Sequence, residues 1–205
     1  MATIAESIEP IRAQLGPQFY ALSCGADFVV FGGAAGGGKT YTIFLSVLQY
    51  ARIPSFGAEV FRRTTADIVK TGALWDASLA IFPRAGGEPN QALHRWRFPS
   101  GATCTFSHME HPTDRFNWKG AQIGLLAFDQ LETFTAEQFW YLTTRLRDPA
   151  GDVTPWVFAT CNPVPDDDPT GGWLRRLIDW WIDPTTGLAI ETRSGVLRWF
   201  VRLED

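Results

Sequence analysis

The stretch Gly33–Thr40, Gly-Ala-Ala-Gly-Gly-Gly-Lys-Thr, limits the possible folds of this chain more than any other segment. It follows the apolar run Asp27-Phe-Val-Val-Phe-Gly32 and precedes a helix-forming run from Tyr41 to Ala51. A strand, a glycine-rich loop ending in Lys-Thr and a helix together make a phosphate-binding P-loop. Without Cβ atoms, the loop can curl its backbone N–H groups around phosphate oxygens. The helix that follows turns its unpaired N–H groups and positive dipole end toward the same anion. The expected nucleotide contacts are therefore Gly33, Ala34, Ala35, Gly36, Gly37, Gly38, Lys39 and Thr40. In this pattern Lys39 reaches the β- and γ-phosphates and the Thr40 hydroxyl binds Mg²⁺.

The rest of the chain reads as alternating strands and helices. A short helix is expected over residues 5–15, ended by Gly16-Pro17. Strands are expected at 27–32, 58–62, 123–128 and 156–159, with a hairpin of 96–98 and 103–106 around Pro99-Ser100-Gly101. Helices are expected from Thr64 to Ile81, from Phe134 to Leu146 with Thr135 as its cap, and from Trp173 to Trp181. After a turn at 183–187, a second hairpin is expected around Arg193-Ser194-Gly195. The run Ile123-Gly-Leu-Leu-Ala-Phe128 is apolar throughout, as suits a strand buried on both faces of a parallel sheet. Together these give an α/β sheet flanked by helices.

The 205 residues suffice for one domain with a sizeable core. A net charge of −4 argues against nucleic acid being gripped across a large basic surface, though not against a local patch. Cys24, Cys104 and Cys161 are widely spaced and form no C-x-x-C pair, so reduced thiols in a cytosolic compartment and no zinc site are expected.

A P-loop needs a carboxylate at the end of a neighbouring strand to hold Mg²⁺, and Asp129 directly follows the apolar strand. The water-activating residue is open to two readings. Hydrolytic ATPases of this kind often carry Glu immediately after the Asp, but here that residue is Gln130, and the next carboxylate is Glu132. In an extended segment, positions 130 and 132 point the same way, which would bring Glu132 to the γ-phosphate. Alternatively, Glu132 is a turn residue favouring the positive end of the next helix. Gln130 can orient water without taking its proton, or stand as a replacement of Glu that traps bound ATP.

Thr160 and Asn162, at the end of another strand, are candidates for sensing the γ-phosphate. Arg62, Arg63, Arg115 and Lys119 are candidates for neutralising transition-state charge, in cis or as a finger supplied to a neighbouring subunit. Gln18, ahead of the first strand, is placed to hydrogen-bond an adenine edge. Asp166-Asp167-Asp168, between Pro165 and Pro169, reads as a solvated loop.

With these segments in order, the chain resembles the ATPase domain of a tailed-phage terminase large subunit, the DNA-packaging motor. The resemblance is carried by Pro17-Gln18 with Asp27–Thr40, Phe61-Arg-Arg-Thr64, Phe116-Asn-Trp-Lys-Gly120, Phe128-Asp-Gln-Leu-Glu-Thr-Phe-Thr135 with Arg145-Leu-Arg147, Thr160-Cys-Asn-Pro163 and Gly172–Asp179. It implies a RecA-like P-loop NTPase with an additional strand between the two nucleotide-binding strands. It further implies ATP and Mg²⁺ as cofactors, and double-stranded DNA, a portal protein and a small terminase subunit as partners. Assembly as a homo-oligomeric ring, typically a pentamer, is implied too, in the cytoplasm of an infected bacterial host, with the isolated domain monomeric. The family's matching positions give Asp129 the Mg²⁺ and Thr160–Asn162 a coupling role; Gln130 departs from the family's usual catalytic Glu. The family's C-terminal nuclease carries clustered acidic metal ligands. None follows here, so residues 1–205 are expected to be a single motor domain. The competing expectations are a nucleotide-binding switch with little hydrolysis and another helicase-like ATPase.

Overall fold

The structure is a computed structural model that describes residues 10–34 and 36–201. It is a seven-stranded sheet with helices on both faces. The strands are β1 (Phe28–Gly32), β2 (Gly57–Arg62), β3 (Glu88–Asn90), β4 (Arg95–Arg97), β5 (Thr103–His108), β6 (Leu125–Phe128) and β7 (Trp156–Cys161), in the order β1-β7-β6-β2-β5-β4-β3. β1, β7, β6, β2 and β5 run parallel, and β4 and β3 add antiparallel strands at the far edge. β7 lies between β1, which feeds the P-loop, and β6, which ends at Asp129. This is the additional strand expected of the RecA-like arrangement.

Alternation along each strand sends side chains to two cores. On one face Ala58, Val60, Leu125, Ala127 and Phe158 pack against α2 (Lys39–Tyr50) through Ile43, Phe44 and Val47, with Phe82, Trp96 and Phe106 extending the cluster. On the other face Phe61, Leu126, Phe128, Val157 and Ala159 pack against α5 (Ala136–Thr143) through Phe139 and Leu142. Every residue of β6 is buried, because both of its faces are covered. α5 opens with a reciprocal cap: the Thr135 hydroxyl accepts from the Gln138 N–H, and the Gln138 amide oxygen accepts from the Thr135 N–H.

Four expectations are corrected. Residues 10–14 of the proposed first helix are not helical, residues 5–9 lie outside the described residues, and Pro17 begins a helix where it was expected to end one. α1 runs Pro17–Leu22 with Pro at its first position, where its missing N–H costs no intrahelical bond. The helix expected over Thr64–Ile81 is two short ones, α3 (Thr65–Val69, capped by Thr64) and α4 (Leu74–Leu79). Lys70 turns extended, and Gly72 takes φ +74°, a left-handed conformation that a continuous helix excludes. The helix expected over 173–181 stops as α6 (Gly172–Leu177) and is followed by a 3₁₀ turn at Asp179–Trp181. Among the described residues, the hairpin around Ser194 does not form. A 3₁₀ turn occupies Glu191–Arg193, and the only strand-like pairing there among the described residues is the antiparallel bridge Ile182–Ala189, across the preceding turn.

Candidate active site

Parallel strands end on the same edge of a sheet, so the residues that follow them converge there. The register decides which ones meet. Phe61 pairs with Phe128, and Phe128 with Ala159, so Arg62, Asp129 and Thr160 form a row one step beyond. Alternation turns all three toward the face that carries α2, whose first turn holds Thr40.

Asp129 is the hub of this row and is almost wholly buried. One carboxylate oxygen, Oδ1, accepts from the Thr160 hydroxyl at 2.6 Å. The other, Oδ2, accepts from the Thr40 hydroxyl at 2.9 Å and from Arg62 Nε at 2.9 Å, with Arg62 Nη2 at 2.6 Å. A buried carboxylate is tolerated only with such compensation. Arg62 also donates from Nη1 to the Gln130 amide oxygen at 2.7 Å.

The P-loop sits against the end of β7. The Gly33 N–H donates to the Cys161 carbonyl, and the Lys39 ammonium donates to the carbonyls of Gly33 and Ala34 at 2.7 Å each. Ala34, Gly36 and Gly37 are exposed, whereas Gly38, Lys39 and Thr40 are half-buried. Ala35, also expected to touch nucleotide, lies outside the described residues. Gln18 is buried beneath the loop, where its amide nitrogen donates to the Gly38 carbonyl at 3.2 Å and its oxygen accepts from the Gln14 N–H. In this arrangement its amide braces the loop.

Beyond Asp129 the extended geometry assumed for positions 130 and 132 is absent. Gln130 takes φ 66°, ψ 59°, and Leu131–Thr133 form a 3₁₀ turn, so the alternation argument does not hold. A non-glycine residue in this region costs about 1–3 kcal/mol and is held by its surroundings, here by Arg62 on the side chain and the Thr160 hydroxyl on the N–H. The same turn places Glu132 against the end of β7. Its Oε1 accepts from Asn162 Nδ2 at 2.6 Å, and its Oε2 is buried with no hydrogen-bond partner among the described residues. The Cys161 thiol is pushed up to about 12, first by burial and then by the Glu132 charge, with Lys39 acting in the opposite direction. Thr160 and Asn162 thus hold Asp129 and Glu132 respectively.

The remaining cations lie away from this cluster. Arg63 donates to the Met109 carbonyl and the Gln138 amide oxygen. Arg115 pairs with Glu137 at 3.1 Å and lies over the Phe116 ring, and Lys119 is exposed. Asp168 closes its own loop through the N–H groups of Gly171 and Thr170, which hold its carboxyl below the usual range. Sequence reasoning set Gln138 in the first turn of the helix capped by Thr135, but missed that its buried amide joins Arg63 and the carbonyls of Met109 and His111 to that cap. Its position three residues after Thr135 was the available signal. It also missed Glu59, half-buried mid-strand in β2 and pushed up to about 7, chiefly by desolvation and against its hydrogen bond from Ser107.

The family model described as terminase large subunit, T4likevirus-type, N-terminal, matches residues 30–186. No curated protein matches the chain. Among solved structures, the large terminase of bacteriophage HK97 is similar over 87% of this chain and 38% of its own, at 12% identity and a TM-score of 0.58. The large terminase of the thermophilic bacteriophage D6E is similar over 72% of this chain and 38% of its own, at 11% identity and a TM-score of 0.56. The N-terminal domain of the DNA packaging ATPase from bacteriophage phi29 is similar over 78% and 81% respectively, at 14% identity and a TM-score of 0.50. The chain therefore spans well under half the length of the HK97 and D6E proteins, and at these identities the likeness is one of fold.

Proposed function

Since this chain belongs to the terminase large-subunit family through its N-terminal region, we propose that it is a motor domain that hydrolyses ATP to drive double-stranded viral DNA into a procapsid. The observation that carries this reading is the meeting of Thr40 and Asp129, whose oxygens lie 2.9 Å apart although the two residues are 89 positions apart in sequence. Two hard oxygen donors, one from the P-loop helix and one from a strand end, suit Mg²⁺, which fills its other positions with water and phosphate. When bound, Mg²⁺ supplies charge neutralisation across the β- and γ-phosphates.

The chain's own residues supply the rest. The loop N–H groups and the N-terminus of α2 receive the phosphates, and Lys39 exchanges its loop carbonyls for phosphate oxygens. Thr160 fixes the orientation of Asp129 through a buried hydroxyl. Positioning and electrostatics of this kind do most of the work in phosphoryl transfer. Residues 1–205 act as one motor unit in a homo-oligomeric ring, typically of five, on a portal, together with a small terminase subunit, in the cytoplasm of an infected bacterial host. Arg63, Arg115 or Lys119 of one subunit is available as the trans-acting cation of the next, and Lys119 is the most exposed of the three.

The test is translocation. The assembled protein should show ATP turnover stimulated by duplex DNA, with movement along the duplex and no strand separation. ATP-dependent unwinding would point to a helicase-like enzyme. The second reading, a nucleotide-binding switch, draws on Gln130 standing where a proton acceptor is usual. A tight ATP complex with negligible turnover in the full assembly would favour it.

A further inference from the structure

We propose that Glu132, and not the residue following Asp129, is the general base that activates the attacking water. This proposal rests on the ATPase reading of the same site.

Gln130 is excluded from the role by its chemistry and by its bonding. An amide takes no proton at neutral pH, and its oxygen is held at 2.7 Å by Arg62. The left-handed turn at Gln130 and the 3₁₀ turn after it send Leu131 into the core and return Glu132 to the sheet edge. There, Asn162 Nδ2 fixes one carboxylate oxygen at 2.6 Å, while the other is buried without a partner among the described residues. A buried carboxylate oxygen left unpaired is costly, and a native site retains one where a ligand, water or proton is to be received.

Its neighbours say which ligand. Glu132 is bonded to Asn162, the residue after Cys161; the Cys161 carbonyl accepts from the Gly33 N–H, and the Gly33 and Ala34 carbonyls accept from Lys39. Glu132 therefore stands on the same sheet edge as the Lys39 that reaches the γ-phosphate. Gly171 packs directly on it: a Cβ there would lie 2.8 Å from the Glu132 carbonyl and 3.3 Å from its Cβ. The loop leading into α6 thus packs on the backbone and Cβ of Glu132, from which the carboxylate extends.

The step balances as follows. The water oxygen attacks the γ-phosphorus as its proton passes to Glu132 Oε2. The bond from the γ-phosphorus to the β–γ bridging oxygen breaks, and ADP leaves with that electron pair. Glu132 then returns its proton to solvent. Asn162 is a positioning residue for Glu132, and Gln130 is a positioning residue for Arg62.

The experiment compares the full chain with Glu132→Gln and Gln130→Glu, measuring ATP affinity by calorimetry with Mg²⁺ and ATP turnover in the same preparations. The expected result is that Glu132→Gln binds ATP within about twofold of the unchanged chain while turnover falls about 10²–10⁴-fold, the usual worth of a general base. Gln130→Glu should not raise turnover. Undiminished turnover in Glu132→Gln overturns the proposal. So does loss of ATP binding together with turnover, which would give Glu132 a binding or folding role. A chain that binds ATP but turns over only as Gln130→Glu also overturns it. Failure of the unchanged chain to bind ATP is a different outcome: it removes the ATPase reading itself, and the proposal with it.

Discussion

Asp129 concentrates the chemistry of the site at one residue. It is buried, and Arg62 supplies the only countercharge that touches it among the described residues. Removing one member of a buried ion pair strands the other, at about 3–5 kcal/mol. Arg62→Ala should therefore lower the melting temperature by roughly 10 °C, using the usual scaling for a domain of this size. The Arg62→Ala/Asp129→Ala double variant should recover part of that loss, because no buried charge is left unpaired. A thermal melt of the unchanged chain, Arg62→Ala, Asp129→Ala and the double variant checks this, and strictly additive losses would show that the pair is not coupled. This partnership was within reach of the sequence. Arg62 ends one apolar strand and Asp129 follows another, and only the parallel register that sets them side by side was missing. The place of Glu132 was beyond the same reasoning. Alternation presumes an extended chain, and the left-handed Gln130 breaks it, a conformation for which a non-glycine residue carries no sequence signature.

At the level of elements, the legible parts were those whose local signals agreed with their burial. β6 is a continuous apolar run with cover on both faces, and α5 carries a full capping box. The parts misread were those where a local signal admitted two meanings. Gly16-Pro17 ends a helix or begins one, and Gly72 was passed over inside a helical pattern that it interrupts. Two elements carry predictions. The loop ahead of α6 touches Glu132 through Gly171, where a methyl group would press on backbone. Gly171→Ala should leave ATP binding intact and lower turnover by about 10²-fold, since an ångström of displacement costs that much in a positioned site. Steady-state kinetics beside a binding isotherm checks it, and unchanged turnover would mean the loop does not position the carboxylate.

β2 carries the second prediction. Glu59, half-buried beside Ser107, Arg95 and Thr105, has its carboxyl raised by desolvation from 4.5 to about 7. A carboxyl raised on folding favours its protonated form in the folded state. Its contribution is complete below about pH 4.5 and is lost as the pH rises through about 7. Stability should therefore decline across that window by about 1–3 kcal/mol from this residue. Glu59→Gln should flatten the decline in melts taken at successive pH values. A slope unchanged by the substitution would show that Glu59 is not its source.

At the scale of the whole molecule, the sheet order explains why residues so distant in sequence share one site. β1, β7, β6 and β2 lie side by side and parallel, so the P-loop, Asn162, Asp129 and Arg62 all emerge on one edge. Large aromatic residues pack both faces of the sheet, with Phe44, Phe82 and Trp96 on one and Phe61, Phe128 and Phe139 on the other. They hold that edge rigid enough for positioning to matter. The P-loop and the strand ending at Asp129 were enough to read this fold class from the sequence. The order of the strands depends on non-local pairing, which no local pattern encodes. The most direct measurement is the binding of ATP with Mg²⁺ to this chain and to Lys39→Ala, by calorimetry. The account predicts one saturable site in the unchanged chain, an affinity weakened about tenfold or more in Lys39→Ala, a loss of at least about 1.4 kcal/mol, and no turnover in that variant. Equal affinity and turnover in the two proteins would contradict it.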